Sequence, residues 1–348
     1  MVAQQTDFDR ASEAAPEFAV AGWRTGLPGQ AEWALLASAA EEPNPFFEHW
    51  FLGPSLQAFD PAGEVCIAQL RIDGKLVGLA PIARSSRYYD RTLPHLEIWL
   101  HANAFNGVPL IMRGFEEVFW DCLLRWADEH AGSAVFLHLP ALPGDCAAQA
   151  AVDDVARKAR RKSAIVASEP RALLSSKLSP EDYFENALST KKRKELRRQA
   201  RRLGEQGVLE VVRVHSPEET GQWARDFLAL EAAGWKGQEG SALASDARRA
   251  DFFVETLRGA ATAERFEGLS LTLDGKPIAM LATFLTSPGA FSFKTTFDED
   301  FARFSPGVLL QKENLDLLAR DGIDWCDSCA ATDHPMIDHF WRDQRSLV

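Results

Sequence analysis

The feature that most restricts the fold is an internal repeat. Residues 67–81 read IAQLRIDGKLVGLAP and residues 269–283 read LSLTLDGKPIAMLAT. Asp73-Gly74-Lys75 aligns on Asp274-Gly275-Lys276 at an offset of 201 residues. Each copy places an Asp-Gly pair between apolar runs, which predicts a β-hairpin because the two turn residues need positive φ. Further along, Phe105-Asn106-Gly107-Val108-Pro109-Leu110 and Phe304-Ser305-Pro306-Gly307-Val308-Leu309 recur at an offset of 199 to 200. Each is followed by a helical pattern (116–130 and 308–320) and a short strand pattern (134–139 and 324–326). A series of this kind in register predicts a duplicated α/β architecture.

Composition narrows the class. The chain has 348 residues, 46% hydrophobic and 25% charged, so fibrous and wholly disordered readings fail. The longest nearly apolar run, 278–285, falls far short of the roughly 20 residues that cross a bilayer. The opening residues lack a basic segment followed by an apolar one, and five cysteines do not make a disulfide framework. A cytoplasmic protein is expected.

The net charge is −12, which argues against general nucleic-acid binding. Charge is nevertheless segregated: between Lys191 and Arg202 stand eight basic residues and one acid, Glu195. That stretch carries +7 and the rest of the chain −19. Leu188, Leu196, Ala200 and Leu203 fall on one stripe, so a helix that packs on one face and displays its charges on the other is expected.

The predicted organisation is a loose tail at 1–20, a degenerate N-terminal domain at 21–145, a crossing segment at 146–178 and an active C-terminal domain at 179–348. Ser179-Pro180 and Ser216-Pro217 both read as helix starts, with Glu219 completing a capping box in the second. The first start leads into one long basic helix, 180–206, and a strand at 208–214 follows it. Ser305 reads as a cap with Pro306 at the first helical position. The amides of Gly307, Val308 and Leu309 would then be free to receive a phosphate. Cys326-x-x-Cys329 with His334 and His339 has thiolate and imidazole chemistry, but its spacing suits buried, unligated thiols better than zinc, and no metal is expected.

Residues 269–310 resemble the GNAT-like domain of the BioF2-like and CelD-like acetyltransferases, related to the FemAB peptidyltransferases. Glu231-Ala232-Ala233-Gly234-Trp235-Lys236-Gly237 is similar to that group's Gly-Trp-Lys-Gly element, and the stretch 328–338 also matches. The first copy matches more faintly, through Asn44-Pro45-Phe46-Phe47 and 106–110. The resemblance implies tandem GNAT-like domains, each a mixed, mostly antiparallel twisted sheet flanked by helices. It implies an N-acyltransferase in which an acceptor amine attacks the thioester of acetyl-CoA or another acyl-CoA directly. Strand 290–297, with Thr295 and Thr296, would supply backbone to the pantetheine and polarise the thioester carbonyl, and Lys294 and Arg303 would neutralise phosphate charge. Arg303, Ser305, Gly307, Val308 and Leu309 would hold the pyrophosphate. Asp327, Asp333 and His334, or alternatively Glu231, would manage the proton. Trp235, Lys236 and Trp341 would bind the acceptor, a small molecule or a saccharide or envelope precursor. The loop lacks the two glycines usual for GNAT pyrophosphate sites, and no Tyr follows the second hairpin to protonate a thiolate. A FemAB-like aminoacyl-tRNA donor, or a non-catalytic scaffold in polysaccharide or envelope biosynthesis, therefore stays open.

Overall fold

A computed structural model describes residues 15–332, 334, 337 and 340–348. The chain divides into two compact units, one of residues 1–49 and 62–164 and another of residues 50–61 and 165–348.

The first unit is built on β1 (Glu17–Gly22), β2 (Cys66–Ile72), β3 (Lys75–Tyr88), β4 (Arg91–Ile98), β5 (Leu110–Ile111) and β6 (Leu137–His138). Its sheet runs β1-β2-β3-β4-β6, with β5 alongside β3. Among the described residues its pairings are antiparallel except β4 with β6, where Leu96 faces Leu137 and Glu97 faces His138. Helices α1 (Trp23–Gly26) and α2 (Gln30–Ala39) precede α3 (His49–Phe59); α4 (Glu116–Glu129) and α5 (Ala147–Lys158) follow. Asn44 ties the two faintly matching motifs together: its side-chain NH2 donates to the Asn106 and Val108 carbonyls, while its Oδ1 accepts the Phe46 amide.

The second unit contains β7 (Glu169–Leu174), α6 (Pro180–Ala187), α7 (Thr190–Gly204), β8 (Leu209–Val214), α8 (Pro217–Ala233), α9 (Trp235–Gln238) and α10 (Ala247–Thr262). It continues with β9 (Phe266–Leu273), β10 (Lys276–Thr286), β11 (Gly289–Phe297), α11 (Pro306–Glu313), β12 (Trp325–Asp327) and β13 (Asp343–Leu347). The sheet order is β13-β7-β12-β11-β10-β9-β8. Among the described residues only β11 and β12 pair in parallel. From Trp50 onward α3 belongs to this unit, where Trp50 and Phe51 pack edge-on against Phe284. Phe51 also meets Phe252 and Phe293.

The repeat is visible in both hairpins. Asp73 and Gly74 have φ of 51° and 73°, and Asp274 and Gly275 have 48° and 75°. These are the two positive-φ positions of a tight hairpin turn, and Gly occupies the second without a Cβ clash. Ser179 and Ser216 cap as expected, accepting the Asp182 and Glu219 amides at 3.1 and 3.3 Å.

Several boundaries differ from the sequence reading. Residues 17–20, assigned to the tail, pair with β2. The crossing segment splits. In α5, Ala148, Ala151, Val152, Val155 and Ala156 are buried, and the Ala148 carbonyl accepts the Trp120 indole N–H. That apolar face holds α5 in the first unit, whereas β7 enters the second sheet. The long basic helix is two helices: Leu188 turns to φ −117°, ψ 144° and Ser189 caps again, accepting the Lys192 amide. A buried Leu next to a capping Ser is worth more here than an uninterrupted helix.

Candidate active site

The distinctive place in the second unit is where β11 and β12 part. Their register runs only from Gly289–Trp325 to Phe291–Asp327. Beyond Phe291, β11 continues to Phe297 while the other chain turns away, the Ser328 amide donating to the Ala172 carbonyl of β7 at 3.1 Å. On its other side β11 stays paired with β10, but the register slips: Ala282 faces Lys294 and Thr283 faces Ser292. Phe293 is the extra residue of this bulge. A bulge bends its strand and re-aims the neighbouring side chains. The half of β11 from Ser292 to Phe297 thus presents a backbone edge with no strand beside it among the described residues.

Lys294 stands at this edge. Its ammonium lies 5.6 Å from the Phe293 ring centroid. Burial, with a further push from Lys236, lowers its pKa from 10.5 to about 8, against opposing pulls from Glu231 and Cys329. Lys236, Glu231 and Cys329 therefore lie close enough to Lys294 to act on its charge. Glu231 is buried, and both its oxygens are engaged: Oε1 by Lys236 Nζ at 2.8 Å and Oε2 by the Leu243 amide at 2.8 Å. That arrangement makes Glu231 an anchor for Lys236. The turn into α9 requires Gly237, since a Cβ there would lie 1.9 Å from the Ala232 carbonyl oxygen. Glu299 Oε1 accepts the Trp235 amide at 2.7 Å, tying the Gly-Trp-Lys-Gly element to the segment after β11. Trp235 is half exposed, with Lys236 Nζ 6.0 Å from its ring centroid.

Across the opening, Asp327 is buried, accepts the Cys329 amide at 2.7 Å and lies 3.7 Å from Arg171. Burial raises its pKa, opposed by Arg171. The same burial pushes Cys326 up to about 12 and Cys329 well above the ordinary thiol value. Both thiols stay protonated at neutral pH. His334 is partly buried and its carbonyl accepts the Ile337 amide. Asp333 and His339 lie outside the described residues. Trp341 is buried in the unit's core with Tyr183 and Phe340, away from an exposed acceptor wall.

The start of α11 departs from the phosphate cradle expected of it. Ser305 has φ 53°, ψ 51°, closes the 3₁₀ turn Glu299–Phe304 and makes no side-chain cap. Its carbonyl accepts both the Val308 and Leu309 amides, at 3.0 and 3.1 Å. Pro306 has no N–H, so of the three amides expected to be free only that of Gly307 has no backbone acceptor here. With Ser305 left-handed its hydroxyl makes no cap, while its carbonyl accepts the first intrahelical bond as it does at any helix start. Thr295 Oγ1 donates to the Met280 carbonyl at 3.2 Å, and Thr296 is buried. Arg303 is exposed, its guanidinium 4.7 Å from the Phe304 ring centroid.

The basic helix α7 runs beside this loop, where Gln199 Nε2 donates to the Arg303 carbonyl at 3.2 Å. Leu196 and Leu203 are buried on its inner face. Arg197, Arg198 and Arg201 pair with Glu185, Glu195 and Glu205. Lys191, Lys192, Lys194 and Arg202 project into solvent. A cavity of about 520 Å³, lined by Leu174, Lys177, Leu317 and Trp325 among others, lies at the paired end of β12 and is separate from the opening.

Parted parallel strands, a bulge on the inner one and a helix starting after it are the features by which the chain is best compared. Residues 190–334 match the Acetyltransferase (GNAT) domain family. FemX superposes with a TM-score of 0.60 at 9% identity over 95% of each chain. The fold is GNAT-like. A conserved protein of unknown function from Bacteroides thetaiotaomicron gives a TM-score of 0.57 at 11% identity, covering 92% of this chain and 96% of its own. The C-terminal domain of a putative lysylphosphatidylglycerol synthetase from Agrobacterium fabrum gives 0.51 at 13%, covering 92% and 91%. No curated protein matches the sequence. The architecture is tandem GNAT-like, each unit a mixed, mostly antiparallel sheet flanked by helices.

Proposed function

We propose that the second unit is an N-acyltransferase whose acyl donor lies along the free edge of β11. The parting of β11 from β12 beyond Phe291 is the observation that carries this reading. An extended donor arm can hydrogen-bond to the edge from Ser292 to Phe297 as an added strand would. That fixes the acyl carbonyl close to the bulge. The acceptor amine nitrogen attacks that carbonyl carbon, the C–N bond forms, and the donor's sulfur or oxygen leaves with the bonding pair. Alignment of two substrates supplies most of the rate, and one proton must leave the amine. Lys294, held near pH 8 as a titrating group beside the opening, is suited to receive it when neutral. Trp235 and Lys236 offer an aromatic face and a cation to the acceptor.

The donor class follows from what would hold its phosphates. An acyl-CoA is the first reading, with Arg303 and the Gly307 amide meeting the pyrophosphate. An aminoacyl-tRNA is the second, and the exposed Lys191, Lys192, Lys194 and Arg202 on α7 favour it, since they flank the same loop with several charges where α11 offers one amide. Melting curves with acetyl-CoA and longer acyl-CoAs test the first, because a ligand that binds only the native state raises the melting temperature. At 100 Kd the gain is about 2.7 kcal/mol. Salt-sensitive tRNA retention lost in Lys191→Glu/Lys192→Glu/Lys194→Glu, with no acyl-CoA shift, supports the second. Absence of binding by either donor overturns the proposed function.

A further inference from the structure

The first unit contains a cluster that acyl transfer does not use. His95 and Glu97 are two residues apart on β4 and so share a face, and His138 is the register partner of Glu97 on β6. Each offers a ligand atom, and these atoms all lie within 4.8 Å of one another. His95 Nε2 is 3.3 Å from Glu97 Oε2, and His138 Nδ1 is 3.8 Å from the same oxygen. With metal bonds of about 2.0–2.2 Å, tetrahedral ligands stand roughly 3.3–3.5 Å apart. The observed spacing needs only small rotamer adjustments to reach that.

The hydrogen-bond geometry points the same way. His95 Nδ1 lies 3.0 Å from the Leu93 carbonyl, a contact that takes the Nδ1 proton. The ring's other nitrogen, Nε2, faces the Glu97 Oε2 oxygen. His138 Nδ1 is buried and has no hydrogen bond. Two imidazole nitrogens thus converge on one carboxylate oxygen, the geometry in which three ligands meet a bound cation. A histidine whose second nitrogen is tied to a backbone carbonyl is also how metal-bound imidazoles are oriented. Aromatic packing explains the ring planes, since His95 stacks on Phe136 and both histidines lie edge-on to Tyr88. It does not explain the convergence of the nitrogens.

We propose that His95, Glu97 and His138 bind a divalent transition metal of the Zn2+ class. Two imidazoles and a carboxylate are the donor set such ions prefer over Mg2+ or Ca2+. Side-chain exposure of 1% for His95 against 25% for His138 and 28% for Glu97 leaves a fourth position toward solvent. The site lies on the parallel strand pair β4–β6 of the first unit, the counterpart of β11 and β12 in the second.

The test uses the full chain, stripped with chelator and titrated with Co2+ and with Zn2+. One equivalent of Co2+ should bind with a d–d absorption band free of thiolate charge transfer, and Zn2+ should displace it. Zn2+ should also raise the melting temperature of the chelated protein. Affinity should fall at least tenfold in His138→Ala and in Glu97→Gln, the latter keeping the carboxylate's shape so that loss of folding is not mistaken for loss of the site. No stoichiometric binding, a thiolate band, or binding unchanged in both variants overturns the proposal.

Discussion

At the residue scale, Lys294 carries the sharpest consequence. Its pKa of about 8 lies below the ordinary 10.5, so the folded state gives up this proton before the unfolded chain does. Below pH 8 both states hold the proton and the cost of burying the charge is fully present. Between 8 and 10.5 the unfolded chain binds more protons, and stability rises with pH. The shift corresponds to about 3 kcal/mol at neutral pH, an upper figure for a lysine still partly reached by water. Lys294→Met should therefore raise the melting temperature at pH 7, by an amount that shrinks toward pH 10.5, as thermal melts across that range would show. In the same variant transfer should fall by about 10²–10⁴-fold if the amine handles the proton. With the wild type, kcat/KM should climb through a pKa near 8, and a profile flat across that range would remove Lys294 from proton transfer. Sequence alone suggested a phosphate clamp for this residue. Its burial and its place beside the bulge follow from a register slip that no local pattern announces.

At the scale of elements, the joint between β8, β9 and the turn after α11 rests on buried charge. Glu267 on β9 is fully buried, meeting Arg213 of β8 at 2.9 Å and Arg320 at 2.5 Å. Arg213 also reaches Asp316 and the Glu313 carbonyl. Removing the carboxylate takes this partner from both guanidiniums, each about a quarter exposed, and leaves Arg213 with Asp316 and the Glu313 carbonyl. Glu267→Ala should cost about 3 kcal/mol, the lower end for a broken buried pair, measurable by urea unfolding. The hairpins and the caps at Ser179 and Ser216 were legible because each depends on a local rule: positive φ at Asp-Gly, a hydroxyl before an amide. The break at Leu188–Ser189 and the reversed Ser305 were not, because burial of Leu188 and the preceding 3₁₀ turn decide them. The His95–Glu97–His138 group spans 44 residues of sequence and meets only through strand pairing, so no spacing motif marks it.

At the scale of the whole molecule, the duplication was readable from the repeat at offset 201, and the GNAT-like architecture from the family resemblance of residues 269–310. The unit boundaries were not, since α5 and the residues from Trp50 to Pro61 are assigned by which apolar face they cover. Under the proposed function the charge segregation has a physical role: seven net positive charges on one helix of a chain at −12 would draw a polyanionic donor to one side of the opening. The central claim is that an acyl donor adds itself to the free edge of β11. Amide hydrogen exchange measures that edge directly, with and without saturating acyl-CoA or aminoacyl-tRNA. Slowed exchange confined to residues 292–297 and the first turn of α11 is the predicted result. Exchange there unchanged by both donors, while the protein is folded, would contradict it.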